Sequence, residues 1–251
     1  MAEDALEHPV EEKEMTIWDH VGEMRTRLLK GIGALLVTTV AFLFYLAPKV
    51  IEWLAIPGGG LDQFVAIEVT ETMGVYMRVS LLGGFIFALP IIVYQILAFI
   101  FPGLYENEKR WLFMAIPVAT LLFVGGVAFS YYVMLPAALP FLRGFLEEVT
   151  PSWRLANYYS FTTNLMFWIG AAFEAPLVVY LLAKFNVVNA RMLLRQWRFA
   201  VVIIAIIAAM ITPTIDPVNM GLLMAPLFAI YLLSVLFDAI ARPIKRGEAA
   251  S

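Results

Sequence analysis

Residues 75–110 read VYMRVSLLGGFIFALPIIVYQILAFIFPGLYENEKR, and this stretch decides the fold. From Val75 to Phe101 it is almost wholly apolar, with Arg78 near its start. A helix of about 20 apolar residues crosses a hydrocarbon core of about 30 Å, so this run is long enough to span a membrane. It stops at Pro102-Gly103, which imposes a tight turn. Glu106, Glu108, Lys109 and Arg110 then bring the chain into water.

Similar runs lie on either side, at 28–47, 111–135, 158–183, 197–211 and 218–237. The 251 residues are 62% hydrophobic and 15% charged. A soluble domain carries about 25% charged residues, and one of this size has no means of hiding so much apolar surface. The expected class is an all-α, polytopic membrane protein with six transmembrane helices. The domain reading is an acidic tail (1–15), a six-span membrane domain (16–240) and a short C-terminal tail (241–251). Residues 1–15 hold acids and no apolar core, so they read as a solvated tail and not as a signal peptide.

The lysines and arginines orient the spans. Lys13, Arg25, Arg27, Lys30, Lys109, Arg110, Lys184, Arg191, Arg195, Arg198, Arg242, Lys245 and Arg246 fall on one side. Only Lys49, Arg78, Arg143 and Arg154 fall on the other. The positive-inside rule then puts both termini in the cytoplasm. The run 197–211 would rise only about 22 Å as a helix. Either the bilayer thins around it, or flanking residues such as Met192 and Leu194 add a turn.

Net charge is −3, which gives no basic surface for nucleic acid. There is no cysteine, and the only histidines are His8 and His20, so disulfides, cysteine-ligated metals and thiol catalysis are excluded. No nucleophile elbow, zinc-binding helix or phosphate-cradling glycine loop occurs. No cofactor, no metal and no enzymatic activity are expected.

Prolines 90, 117, 176 and 226 sit inside the spans and remove backbone donors there. Phe87-x-x-Pro90-x-x-Val93-Tyr94 and Phe173-x-x-Pro176-x-x-Val179-Tyr180 repeat one pattern, which predicts two parallel helices kinked at similar depth and forming a concave wall. The loops at 48–70 and 136–157 should fold into short helices and turns over the outer face. Their acids, Glu52, Asp62, Glu68, Glu71, Glu147 and Glu148, read as solvated decoration. Asp216 reads as a helix cap in the hairpin Thr212-Pro213-Thr214-Ile215-Asp216-Pro217.

Three places hold polar groups suited to function. Thr16 and Asp19 resemble a capping box, so a helix should begin there. On it Ile17, Val21, Met24 and Leu28 make an apolar stripe fit for the membrane surface, with Asp19, Glu23, Thr26 and Lys30 on the wet side. Glu23 either attracts a cationic ligand or pairs with Arg27 one turn on, a contact worth about 0.3–0.5 kcal/mol. Glu106 and Glu108 either favour the start of the third span through the helix dipole or join Glu23 in binding a cation. Glu174 lies ten residues before Lys184, about 15 Å into the span. A charge there costs about 2.5–3.5 kcal/mol on insertion scales unless it is paired, hydrated or protonated. Gln95 and Asn164 are the nearby polar candidates, and a carbonyl freed by a proline is the alternative partner.

These motifs together resemble the TatC family, the multi-span subunit of the twin-arginine protein translocase. His20-x-x-Glu23-Met24-Arg25-x-Arg27-Leu28 matches the family's His-x-x-Glu-Leu-Arg-x-Arg-Leu, with Met for Leu. Tyr94-Gln95-x-x-Ala98-Phe99 followed by Pro102-Gly103-Leu104-Tyr105-x-x-Glu108-Lys109-Arg110 matches its first cytoplasmic loop. Phe173-Glu174-x-Pro176 and the 212–217 hairpin match its fourth span and last turn. The resemblance covers about residues 16–240 and implies a glove-like bundle in the cytoplasmic (inner) membrane. It implies a receptor for the twin-arginine signal peptides of folded cargo, driven by the proton-motive force, with TatA- and TatB-type single-span partners and a homo-oligomeric complex. Glu23 and Glu108 would be the recognition acids, with Arg25 and Phe99 at the same site. Glu174 would be the intramembrane acid, beside Gln95 as a second intramembrane polar group. Pro57 and Asp216 would act at the outer face. Two other readings compete: a proton-coupled small-molecule transporter using Glu174, and a passive scaffold that only gathers partner helices.

Overall fold

The computed structural model describes residues 17–100, 106–144, 153–184, 190–211 and 217–241. The acidic tail, the Pro102-Gly103 turn, Glu147, Glu148, the 212–216 hairpin with Asp216, and the C-terminal tail beyond Ala241 lie outside the described residues.

Helices dominate. Four are long and apolar enough to cross a membrane, namely His20–Tyr45, Glu71–Phe99, Met114–Leu142 and Leu155–Val179. Trp197–Met210 and Leu223–Leu236 are shorter apolar helices. The first helix, α1 (Ile17–Tyr45), runs 29 residues without a break. That is about 43 Å, longer than a hydrocarbon core of about 30 Å, and no break parts the amphipathic start of the helix from the apolar run. Leu36, Val37, Val40 and Phe44 on α1 are exposed. In water such a face would drive aggregation; against lipid it carries no cost.

The segment after α1 turns back as α2 (Ala47–Ala55), which starts with Pro48 in its first turn. Three tyrosines hold its last carbonyls. Tyr159 Oη donates to the Ile51 carbonyl at 2.6 Å, Tyr158 Oη to Leu54 at 2.7 Å and Tyr131 Oη to Trp53 at 2.8 Å. Helix ends leave carbonyls without intrahelical partners, and burying them bare would be costly. Tyr131 reaches α2 from a π-helical turn, Ser130–Met134, in which one wider turn re-aims the side chain. Its ring stacks on Trp53 at 3.8 Å.

A 3₁₀ turn over Ile56–Gly58 follows α2. Gly59 and Gly60 then take φ values of 104° and 101°, a region that L side chains avoid. Strand β1 (Phe64–Val65) next pairs in parallel with β2 (Trp153–Arg154), matching Phe64 to Trp153 and Val65 to Arg154. The two long loops therefore form one cap, as expected.

Glu71 is not the solvated decoration read from the sequence. It is buried. Its Oε1 accepts from Arg154 Nε at 2.6 Å and from the backbone N–H groups of Glu68 and Ile67 at 3.0 and 3.2 Å. Its Oε2 accepts from the Ala156 N–H at 3.3 Å. Arg154 Nη2 also donates to Glu68 at 2.5 Å. Hydrogen bonds to Glu71 and then Glu68 hold the Arg154 guanidinium above its ordinary pKa. The Glu71 carboxylate thus caps the start of α3 (Glu71–Ile100) and joins both loops.

After α3 come α4 (Glu106–Phe129), the π turn, α5 (Leu135–Gly144), α6 (Leu155–Phe173) and α7 (Ala175–Lys184). The two matching proline patterns behave differently. Helix α3 is continuous through Pro90, whereas the fourth span breaks at Glu174 between α6 and α7. Losing one ladder bond leaves α3 intact. At the break the Glu174 N–H turns back to the Ala171 carbonyl at 3.1 Å, a tighter turn than the helix allows.

The extra turn around Met192 and Leu194 exists as a separate helix, α8 (Ala190–Arg195), parted at Gln196 from α9 (Trp197–Ile211). The Leu193 carbonyl at this break accepts from Tyr231 Oη at 2.7 Å, on the last helix, α10 (Pro217–Ala241). Helix α9 is therefore 15 residues long, the shorter of the two lengths weighed from the sequence.

Replacing Arg154 with Gln should lower the unfolding temperature of the detergent-solubilised protein, because Glu71 then keeps a buried charge without its cation. The exposed Lys49→Gln should leave it unchanged. Thermal unfolding followed by tryptophan fluorescence compares the two.

Candidate functional site

Close contact between α1 and α3 builds the polar end of the molecule. A Cβ at Gly84 would stand 2.5 Å from the Thr39 Cα, and one at Gly83 would stand 2.2 Å from the Phe42 ring. Only glycine allows the two backbones this near, the usual device for packing helices in lipid. Thr38 Oγ1 seals the crossing with a 2.8 Å hydrogen bond to the Gly84 carbonyl.

The contact continues along an antiparallel course. Gly31 faces Ile92, whose Cγ1 would lie 3.9 Å from a Cβ at that glycine. Farther along, His20 stacks on Phe99 with ring centroids 4.5 Å apart and planes 22° from parallel.

The face of α1 turned to α3 therefore carries His20, Glu23, Arg27, Gly31 and Thr38. This corrects the wet-side assignment of Glu23. Val21, Met24 and Leu28, the expected apolar stripe, are exposed on the other side. Against lipid the apolar stripe faces outward, and the ionic pair is sheltered by its neighbouring helix.

Glu23 is half-buried, and its Oε1 accepts from both Nε and Nη2 of Arg27, the former at 2.8 Å. Its Oε2 is buried and has no hydrogen-bond partner among the described residues. Gln95 lies on α3 between Ile92 and Phe99, and its Oε1 is likewise buried without a partner among the described residues. Arg25 is exposed. Being two residues from Glu23 it sits on another side of α1, so the structure does not bring it into this cluster.

Glu108 falls in the first turn of α4. Because α4 returns from the end of α3, that turn lies at the same end of the bundle as Glu23 and Phe99; the Glu108 side chain is outside the described part. Glu174 lies at the α6–α7 break, and its buried Oε1 has no hydrogen-bond partner among the described residues. Neither Asn164 nor a proline-freed carbonyl satisfies that atom. Asn164 is exposed on α6. Pro57 is in the 3₁₀ turn of the cap, at the opposite end from Glu23. Among the described residues no group of three or more histidines and acids is placed to hold a metal ion.

His20 was legible only as part of a motif; its stacking on Phe99 was not. Gly83-Gly84 was the available signal for the crossing, since adjacent small residues in an apolar span mark close helix contact.

These features define a helical membrane protein with a capped end and, at the other, a sheltered polar face with an ion pair and two acceptors unpartnered among the described residues. The family model described as Sec-independent protein translocase protein (TatC) matches residues 19–226. The Sec-independent protein translocase protein TatC of Synechocystis sp. is 33% identical over 92% of this chain and 90% of its own length. That of Deinococcus radiodurans is 36% identical over 96% of this chain and 92% of its own. A crystal structure of the twin arginine translocase receptor TatC in DDM is 34% identical, covers 87% of this chain and 99% of that one, and superposes with a TM-score of 0.77. This chain belongs to the TatC family of protein translocase components, and the small-molecule transporter reading is set aside.

The chain has no cysteine of its own, so a His20→Cys, Phe99→Cys pair supplies its only thiols. A short thiol crosslinker should join them efficiently. Adding Gly84→Val should abolish the link, since overpacking of about 1–3 kcal/mol or more forces α1 and α3 apart. Gly125→Val, where an added Cβ meets nothing within 4 Å, should not.

Proposed function

We propose that this chain is a receptor for twin-arginine signal peptides and the core subunit of a translocase that exports folded proteins using the proton-motive force. The supporting observation is the His20–Phe99 stack. It draws the start of α1 against the end of α3, so that Glu23, Phe99 and the first turn of α4 with Glu108 share one end of the bundle. An arginine pair is permanently cationic, and its forked donors suit carboxylates.

In this reading that end faces the cytoplasm. The basic residues of the N-terminal segment, the loops after the second and fourth spans and the C-terminal tail all belong to it. The chain crosses the inner membrane six times, with α9 and α10 as the last two crossings and both termini cytoplasmic. Arg25 meets the peptide from the exposed side of α1. Glu174, with Gln95 nearer the docking end, gives the membrane interior its polar points, and TatA- and TatB-type single-span helices engage there. Pro57 and Asp216 shape the outer face. Several copies of the chain work together in the complex.

Glu23→Ala and Glu108→Ala should each reduce crosslinking of a twin-arginine peptide about tenfold, the effect of losing one charge-assisted hydrogen bond of about 1.5 kcal/mol. The double variant should stay folded by thermal unfolding. Undiminished crosslinking in that variant would reject the recognition role of both acids.

A further inference from the structure

The docking end leaves two acceptors open on facing helices. Glu23 Oε2 and Gln95 Oε1 are both buried, and neither has a hydrogen-bond partner among the described residues. Arg27 already takes the other oxygen of Glu23 with two of its donors. The two contacts that flank this region show how the open oxygens are related. Gly31 meets Ile92 on one side and His20 stacks on Phe99 on the other. Glu23 falls between His20 and Gly31 on α1, and Gln95 between Ile92 and Phe99 on α3. Both oxygens therefore lie on the facing sides of the antiparallel pair, in the stretch bounded by those two contacts.

A buried acceptor left bare is unfavourable, and two on the facing sides of one helix pair call for a donor with more than one N–H. A guanidinium offers five N–H groups in a rigid planar fork and is less strongly hydrated than an ammonium. From this geometry we infer that Gln95 is a specificity-determining residue of the docking site. Its carbonyl oxygen and Glu23 Oε2 together receive one guanidinium of the arginine pair and so select arginine over lysine. The inference rests on the reading of this end as the signal-peptide dock and deepens it. A lysine ammonium, a compact and strongly hydrated charge, satisfies Glu23 alone.

The test measures binding of two fluorescent signal peptides, identical except for Arg-Arg or Lys-Lys, to the purified full chain in detergent. The wild type should prefer Arg-Arg. Gln95→Leu should weaken Arg-Arg binding about tenfold, the equivalent of one hydrogen bond to a charged group, and change Lys-Lys binding by less than about threefold. Gln95→Glu, which keeps the acceptor, should restore the preference. Should Leu fail to fold, Gln95→Met takes its place with the same expectation. An unchanged Arg-to-Lys ratio in Gln95→Leu overturns the inference. So does loss of binding in Gln95→Glu as severe as in Gln95→Leu, which would make Gln95 a donor that only steadies Glu23. If wild-type binding depends on Glu23 and Glu108 while the Gln95 variants keep the ratio, this inference fails alone. If the wild type binds neither peptide, the receptor reading fails with it.

Discussion

Close approach of α1 to α3 at Gly83 and Gly84, ring against backbone at the first and backbone against backbone at the second, is the constraint on which the rest depends. Lipid tails are as apolar as leucine, so two helices in a bilayer gain little from covering apolar surface. They gain from close approach, and the bare glycine backbones against Thr39 and Phe42 supply it. With α1 locked to α3 there, the rotation of α1 about its own axis is set along its whole length. The same rotation turns Glu23 and Arg27 toward α3 and leaves Leu36, Val37 and Val40 to lipid. A different rotation would expose an ion pair to hydrocarbon.

The two ends of the bundle handle polar groups in opposite ways. At the cap the carbonyls of α2 and the Glu71 carboxylate are met inside the chain. Three tyrosine hydroxyls take the carbonyls of α2, and Arg154 together with backbone N–H groups surrounds Glu71. Such fully bonded networks make a region rigid. At the end holding Glu23 and Gln95, acceptors stay open, and stability is forgone where binding is proposed. Glu174 Oε1 is also buried without a hydrogen-bond partner among the described residues, at a break in the fourth span. Unlike Glu23 and Gln95, it lies where the chain has departed from regular helix.

Much of this was legible in the residues. Long apolar runs closed by prolines, glycines and charges gave helices close to those observed, including the short α9. The motif around His20 and Glu23 and the one around Gln95 and Phe99 named two segments that the structure brings together at one end of the bundle. Periodicity did not tell which solvent each face of α1 meets. An apolar stripe beside an acidic face reads as surface helix over water, yet the structure turns Glu23 to α3 and the stripe outward, while Thr26 and Lys30 stay exposed. Glu71 was misread for a related reason: its partner Arg154 is far along the chain, in a loop of its own.

Apolar run length, proline position and the distribution of charge therefore determined that this chain is a helical membrane protein and where its helices begin and end. These are local properties, written in neighbouring residues. Only the tertiary structure decided which residues meet, His20 with Phe99 and Glu71 with Arg154, and put Glu23 and Gln95 on the facing sides of α1 and α3. Those meetings depend on how far each helix is rotated and shifted against the next, which is set by packing between segments distant in the chain.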